Sequence, residues 1–71
     1  MMLSMEDFEL LQLDDVIEAP GLFPGLDVVT PVKLRVEKCE ATVKEFVVTY
    51  FGVTLGKWTC TKASEGLTWK V

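Results

Sequence analysis

The segment 43–55, VKEFVVTYFGVTL, constrains the fold most because it carries apolar residues on both faces of any strand that it forms. Two sets of alternate residues point to opposite sides of that strand: Phe46, Val48 and Tyr50, and Val47, Phe51 and Val53. A strand with two apolar faces is normally central in a sheet and covered on both sides. We therefore expect the rest of this 71-residue chain, or a second copy of it, to supply the covers.

Length and composition indicate one globular domain. A chain of 71 residues buries only about 60% of the surface that it exposes when unfolded, so its core is small. Cys39 and Cys60 are too few for a disulfide scaffold, and their spacing matches no zinc motif, which favours a reducing, cytoplasmic location. We expect no signal peptide, because the first twenty residues include Glu6, Asp7 and Glu9 and no base. We expect no membrane span, because the longest weakly polar run is about half of the ~20 residues that a spanning helix needs.

Charge is distributed unevenly along the chain. Residues 1–27 hold seven acids and no base, whereas residues 28–71 hold all seven bases and four acids, a net charge of +3. This pattern predicts an acidic N-terminal arm followed by a mildly basic module.

Residues 1–19 are predicted to form an acidic amphipathic helix. Ser4 is suited to be its N-cap with Asp7 at the third helical position, and Leu3 and Phe8 are spaced for a hydrophobic staple. A competing interpretation is a short strand over residues 8–13. The apolar residues of the helix form two stripes and are our first candidate partner-binding set: Phe8, Leu10, Leu11, Leu13 and Ile17.

A Pro/Gly-rich connection is predicted over residues 20–31, which contain all three prolines and two Pro-Gly-Leu triplets. Each Pro-Gly pair suits a type II turn. We expect Leu22, Phe23 and Leu26 to cover an edge of the core.

Residues 32–71 are predicted to form a four-stranded antiparallel meander, which gives the chain an α+β fold with the helix and the connection packed on the sheet. A loop over residues 39–42 places Val36 opposite Glu45. A turn at Leu55 and Gly56 places Val53 opposite Trp58, unless Gly52 marks a bend or bulge that changes this register. A last turn over residues 63–66 pairs Cys60 with Trp69, Lys62 with Leu67 and Trp58 with Val71.

These pairings predict one core face and one mixed face. The predicted core face carries Val32, Leu34, Val36, Val47, Phe51, Val53, Trp58, Cys60, Leu67, Trp69 and Val71. The opposite face mixes bases and aromatic residues, and it holds our second candidate partner-binding set: Lys33, Arg35, Lys44, Phe46, Val48 and Tyr50. Because nothing else in the chain is long enough to cover Phe46, Val48 and Tyr50, we expect a homo-oligomer or an obligate protein partner.

The sequence offers little for catalysis. It has no histidine, and its adjacent carboxylates do not converge on one helix face, so we expect no enzymatic activity. No metal site, phosphate loop or small-molecule cofactor is implied.

Two binding functions remain. The first is a protein–protein interaction or assembly module, of the kind found among small viral or mobile-element accessory proteins, acting by binding or inhibiting a partner. The second is binding of single-stranded nucleic acid on the basic and aromatic sheet face. The isoelectric point of about 4.6 opposes the second function, because such binding is largely electrostatic.

Overall fold

A computed structural model describes residues 3–20 and 31–70. One helix, α1 (Met5–Leu10), precedes five strands: β1 (Val16–Pro20), β2 (Pro31–Cys39), β3 (Val43–Tyr50), β4 (Val53–Ala63) and β5 (Gly66–Lys70). The strands form one antiparallel sheet in chain order. The predicted antiparallel sheet is confirmed, but it has five strands rather than four. The expected turns of the connection, with Leu22, Phe23 and Leu26, lie outside the described residues.

The helix begins as predicted and ends earlier. Ser4 is the N-cap, and its hydroxyl oxygen accepts a hydrogen bond from the Asp7 amide at 3.0 Å. α1 then stops at Leu10 instead of continuing through Ile17, and Ile17 lies in β1. The alternative of a strand over residues 8–13 is also wrong, because residues 8–10 are helical.

Two aspartates explain why the helix does not continue. The Asp15 carboxylate accepts a hydrogen bond from the Gln12 amide at 2.8 Å, and Asp14 has a φ of 71°. Both conformations compete with a helix, and aspartate adopts them more readily than most residues. The Asp14 amide then donates to the Val36 carbonyl, and the Asp15 carbonyl accepts from the Val36 amide, each at 2.9 Å. These bonds direct the chain into β1 beside β2.

A bulge in β2 changes the register between β2 and β3. Val36 lies opposite Phe46, not opposite Glu45 as predicted, because the pairing shifts by one residue between Val36 and Lys38. An odd register shift reverses which side chains of a strand face the core. The whole of β3 is therefore turned over relative to the predicted arrangement.

The turn between β3 and β4 also lies earlier than predicted. Tyr50 pairs with Val53 around Phe51 and Gly52, whose φ angles of 49° and 79° suit a type I′ hairpin. Gly56 is not in the turn but inside β4, next to an irregularity in the pairing with β3.

The last hairpin is as predicted where the structure describes it. Cys60 pairs with Trp69 and Lys62 pairs with Leu67. The predicted partner of Trp58, Val71, lies outside the described residues.

The core lies on one face of the sheet, under α1. Its buried residues are Phe8, Val32, Leu34, Val36, Phe46, Val48, Trp58 and Cys60. Trp69 packs at the margin, with ring centroids 5.3 Å from Phe46 and 5.9 Å from Trp58. Each fully buried large side chain contributes about 1.5–3 kcal/mol, so this single layer supplies most of the stability of the sheet.

The prediction of a second apolar sheet face is wrong. Phe46 and Val48 are buried in the core, and Tyr50 packs against it, whereas Phe51 and Val53 are among the most exposed apolar residues. The outer face of the sheet carries mainly charged residues and threonines instead. The described structure therefore lacks the apolar outer face on which the predicted oligomer depended.

Candidate interaction surfaces

The second predicted binding set does not form one surface. Lys33 and Arg35 are exposed on the outer face of β2. Lys44, Phe46 and Val48 are buried on the core face, and Tyr50 is half-buried beside them. The one-residue register shift separates the basic residues from the aromatic residues. A nucleobase stacked on Phe46 or Tyr50 would therefore not also bring its phosphate to Lys33 or Arg35.

Most of the exposed basic side chains on the outer face form ion pairs. Arg35 lies 3.4 Å from Asp14, and Lys57 lies 3.0 Å from Glu37, whose hydrogen bond raises the pKa of Lys57. Lys38 lies near two carboxylates, those of Glu40 at 3.4 Å and Glu45 at 3.7 Å. Each pair reduces the positive field available to a phosphate chain. This arrangement gives no support to nucleic-acid binding.

Lys44 holds α1 on the sheet. Its side chain is only 3% exposed, and its ammonium donates a hydrogen bond to the carbonyl oxygen of Phe8. The same ammonium lies 4.2 Å from the centre of the Phe8 ring, a cation–π geometry. Sequence analysis placed Lys44 on a binding surface, and only the register reveals its structural role.

A second lysine fixes the exposed side of α1. Lys62 of β4 forms a salt bridge with Glu9, and this hydrogen bond lowers the pKa of the Glu9 carboxyl. Lys44 and Lys62 together attach the helix to β3 and β4. The N-terminal segment is therefore a fixed part of the described structure rather than a free arm.

The first predicted binding set divides into inward and outward residues. Phe8 is buried, and Leu11 and Ile17 pack against the core. Leu10 and Leu13 are more than half exposed. Val16 at the start of β1 is also exposed, but it pairs with Arg35 and therefore points to the outer face of the sheet, away from α1. We call Leu10 and Leu13 the N-terminal apolar surface.

Carboxylates accompany the N-terminal apolar surface. Glu6, Glu9, Asp14 and Asp15 are all exposed, and residues 3–20 contain no base. An apolar surface among acids is complementary to a partner with apolar and basic side chains. Leu10 and Leu13 were both predicted from the sequence as partner-binding residues, and both are exposed.

The β3–β4 hairpin forms a second exposed apolar feature. Phe51 is 87% exposed and adopts a φ of 49°, a left-handed conformation that costs about 1–2 kcal/mol for a residue other than glycine. Its ring contacts Tyr50, with centroids 4.5 Å apart. Val53, just after the turn, is also more than half exposed. Sequence analysis placed Phe51 and Val53 in the core, because it put the turn four residues later.

A depression lies beside the Phe51 ring. Its volume is about 260 Å³, and it is lined by Glu18, Lys33, Thr49, Phe51 and Gly52. We call it the tip depression. Three strands bring these residues together, since Glu18 of β1 pairs with Lys33 of β2, and Lys33 pairs with Thr49 of β3.

The two cysteines lie in one cross-strand row but do not form a disulfide. Cys39 and Cys60 are both opposite Lys44, on either side of β3, which places their Cα atoms about 10 Å apart and beyond disulfide reach. Burial raises the pKa of the Cys60 thiol to about 11, although Lys44 partly opposes the shift. Cys39 is exposed, and its thiol donates to the Leu11 carbonyl at 3.4 Å.

Comparison of the chain with protein-family models, with curated proteins and with solved structures found no match. In residues 3–20 and 31–70, no helix has the length and apolar character needed to cross a membrane.

Proposed function

We propose that this chain is a small non-enzymatic protein-interaction module that binds a protein partner through the N-terminal apolar surface. The observation that carries the proposal is the exposure of two leucines in the acidic N-terminal segment. Leu10 is 71% exposed and Leu13 is 58% exposed, and they are three positions apart. Single exposed apolar residues are common on soluble proteins, whereas neighbouring ones that are surrounded by polar groups mark interaction sites.

The attachment of α1 to the sheet favours binding. Lys44, Lys62 and the Ser4 cap hold the helix, so its exposed residues need not be ordered when a partner arrives. Such preorganisation lowers the entropic cost of association. Burial of Leu10 and Leu13 would contribute up to about 3 kcal/mol each, so contacts around them must also help to offset the cost of association.

The charges around the surface indicate the chemistry of the partner. Six carboxylates and no base lie between residues 3 and 20. Glu9 and Asp14 are already paired with lysine and arginine of the sheet, and the remaining four form no salt bridge in the described part of the chain. A partner with lysines or arginines around an apolar centre is therefore the complement. Charge of this kind increases the association rate and selects the orientation more than it increases affinity. Two free cysteines too far apart for a disulfide also favour action in a reducing compartment such as the cytoplasm.

Site-specific photocrosslinking in cells tests the proposal. A photoreactive amino acid at position 13 should give a discrete crosslinked protein, and the same group at exposed Thr68 of β5 serves as the matched control. Leu10→Ser should abolish the product at position 13 while the protein stays folded. Equal products from positions 13 and 68, or a product unaffected by Leu10→Ser, would refute the proposal.

A further inference from the structure

The tip depression combines an aromatic wall with one acid and one base. Glu18 and Lys33 are directly opposite each other on neighbouring strands, and no salt bridge of the described part of the chain involves either residue. Arg35, Lys38 and Lys57 on the same face are all paired. The depression is therefore the place on the outer face where both signs of charge are available to another molecule.

The size of the depression fits one aromatic side chain. Its volume is about 260 Å³, and a cavity of about 150 Å³ is enough for benzene. The Phe51 ring stands at its margin, and that side chain is 87% exposed. The hairpin thus presents a ring and a recess of matching size side by side.

We propose that the hairpin tip is a self-association surface at which two copies of this chain meet around a two-fold axis. Phe51 of each copy enters the tip depression of the other copy. Glu18 of one copy faces Lys33 of the second, and the reverse contact forms by symmetry. A patch with a ring beside a recess, and an acid beside a base, is complementary to itself under a two-fold rotation.

The local charge supports a second copy as the occupant. Glu18 and Lys33 cancel each other, so two tips approach without the repulsion expected between the acidic N-terminal surfaces. The tip is small compared with a standard interface of about 800 Å² per partner, so the dimer is transient. This surface shares no residue with the N-terminal apolar surface, and the two proposals stand or fall separately.

Self-association is measured by sedimentation equilibrium of the full chain up to about 1 mM. Two-dimensional amide NMR spectra are recorded over the same concentration range. The wild type should dimerise, with concentration-dependent shifts centred on residues 18, 33 and 49–53. Phe51→Gly removes the ring and suits the left-handed backbone, so it should weaken association at least tenfold without loss of fold. Phe51→Asn offers a second variant with the same expectation, and Leu13→Ser should leave association unchanged.

A charge exchange separates a second copy from any other occupant. Glu18→Lys and Lys33→Glu should each weaken association at least tenfold, because each copy then presents two like charges to the other. The double variant restores one acid and one base per copy, and association should return to within about threefold of the wild type. A wild type that stays monomeric at 1 mM, a Phe51→Gly variant that dimerises equally well, or a double variant that stays monomeric would each overturn the proposal.

Discussion

The ammonium group of Lys44 lies 4.2 Å from the centre of the Phe8 ring and donates a hydrogen bond to the carbonyl oxygen of that same residue. α1 has no base in its own last turn, so β3 supplies the cation that complements the carbonyl end of the helix. Phe8 in turn fills the core beneath α1. One residue of the sheet thus fixes both the backbone and the side chain of the helix.

Replacement of Lys44 by methionine is expected to lower the free energy of unfolding by about 1–3 kcal/mol, through loss of a charge-assisted hydrogen bond in a buried site. Methionine retains an unbranched apolar side chain of similar length, so the loss reports mainly on the ammonium. Chemical denaturation measures the change, and faster amide exchange in residues 8–11 should locate it. Lys57→Met on the exposed face is the control, and its expected change is much smaller, because water screens the Lys57 ion pair. Equal losses for both variants would contradict the assigned role of Lys44.

Substitutions at the adjacent positions 51 and 52 are expected to change the stability of the protein in different directions. Phe51→Gly should leave stability unchanged or raise it by up to about 1 kcal/mol, because glycine adopts positive φ without strain. Gly52→Ala should lower stability by about 1–2 kcal/mol, since an added Cβ at Gly52 meets no atom within 4 Å and only the backbone conformation at φ 79° is penalised. Thermal unfolding monitored by circular dichroism distinguishes the two. A Phe51→Gly variant that is the less stable of the pair would show that the Phe51 ring contributes more by packing than it costs in strain.

The two thiols should react at very different rates. Burial raises the pKa of the Cys60 thiol to about 11, which lowers the small thiolate fraction present at pH 7 still further, and the thiol is also inaccessible. Cys39 is exposed at the end of β2. An aromatic disulfide reagent should therefore modify one thiol in the native protein and two after denaturation. A Cys39→Ser variant that still reacts rapidly in the native state would contradict this assignment.

The salt bridge between Glu9 and Lys62 should contribute to stability only above acidic pH. The pKa of Glu9 is lowered in the folded state by its hydrogen bond to Lys62, so the contribution is fully present above the unfolded value of about 4.5. It is lost as the pH falls through the lower, folded value. Glu9→Gln should be less stable than the wild type at pH 7, by a small amount because Glu9 is exposed, and the difference should disappear near pH 2. A difference that persists at pH 2 would assign the effect to packing. Glu6→Gln, at an exposed position in the first turn of the same helix, is the control.

Local sequence signals were sufficient to predict the structure where a single local interaction determines it. The Ser4 cap follows from hydrogen bonding over three residues, and the β4–β5 pairing follows from a short turn that ends at Gly66. The burial of Trp58 and Cys60 followed from alternation of apolar residues along one strand. These features were predicted from the sequence and are present in the structure.

The predictions that were wrong concern features that depend on contacts between residues distant in the sequence. The bulge at Glu37 is visible only once β2 lies on β3, and a single inserted residue reverses the faces of a strand. Gly52 and Gly56 are both acceptable turn residues, and the choice between them depends on which register buries Phe46 and Val48. The wrong register and the wrong turn also changed the predicted surfaces. Lys44 was therefore assigned to a surface, and Phe51 was assigned to the core.

The order of the strands has a consequence for how the chain folds. Because β1 to β5 pair only with their neighbours in sequence, each pairing closes a loop of known length: two residues for β3–β4 and β4–β5, three for β2–β3, and ten for β1–β2. The entropic cost of loop closure rises with length, and local topology is associated with fast folding. We expect β2 to β5 to assemble first and rapidly, with β1 and α1 added last. The N-terminal apolar surface would then form only at the final step, so a nascent or partly folded chain would not present it.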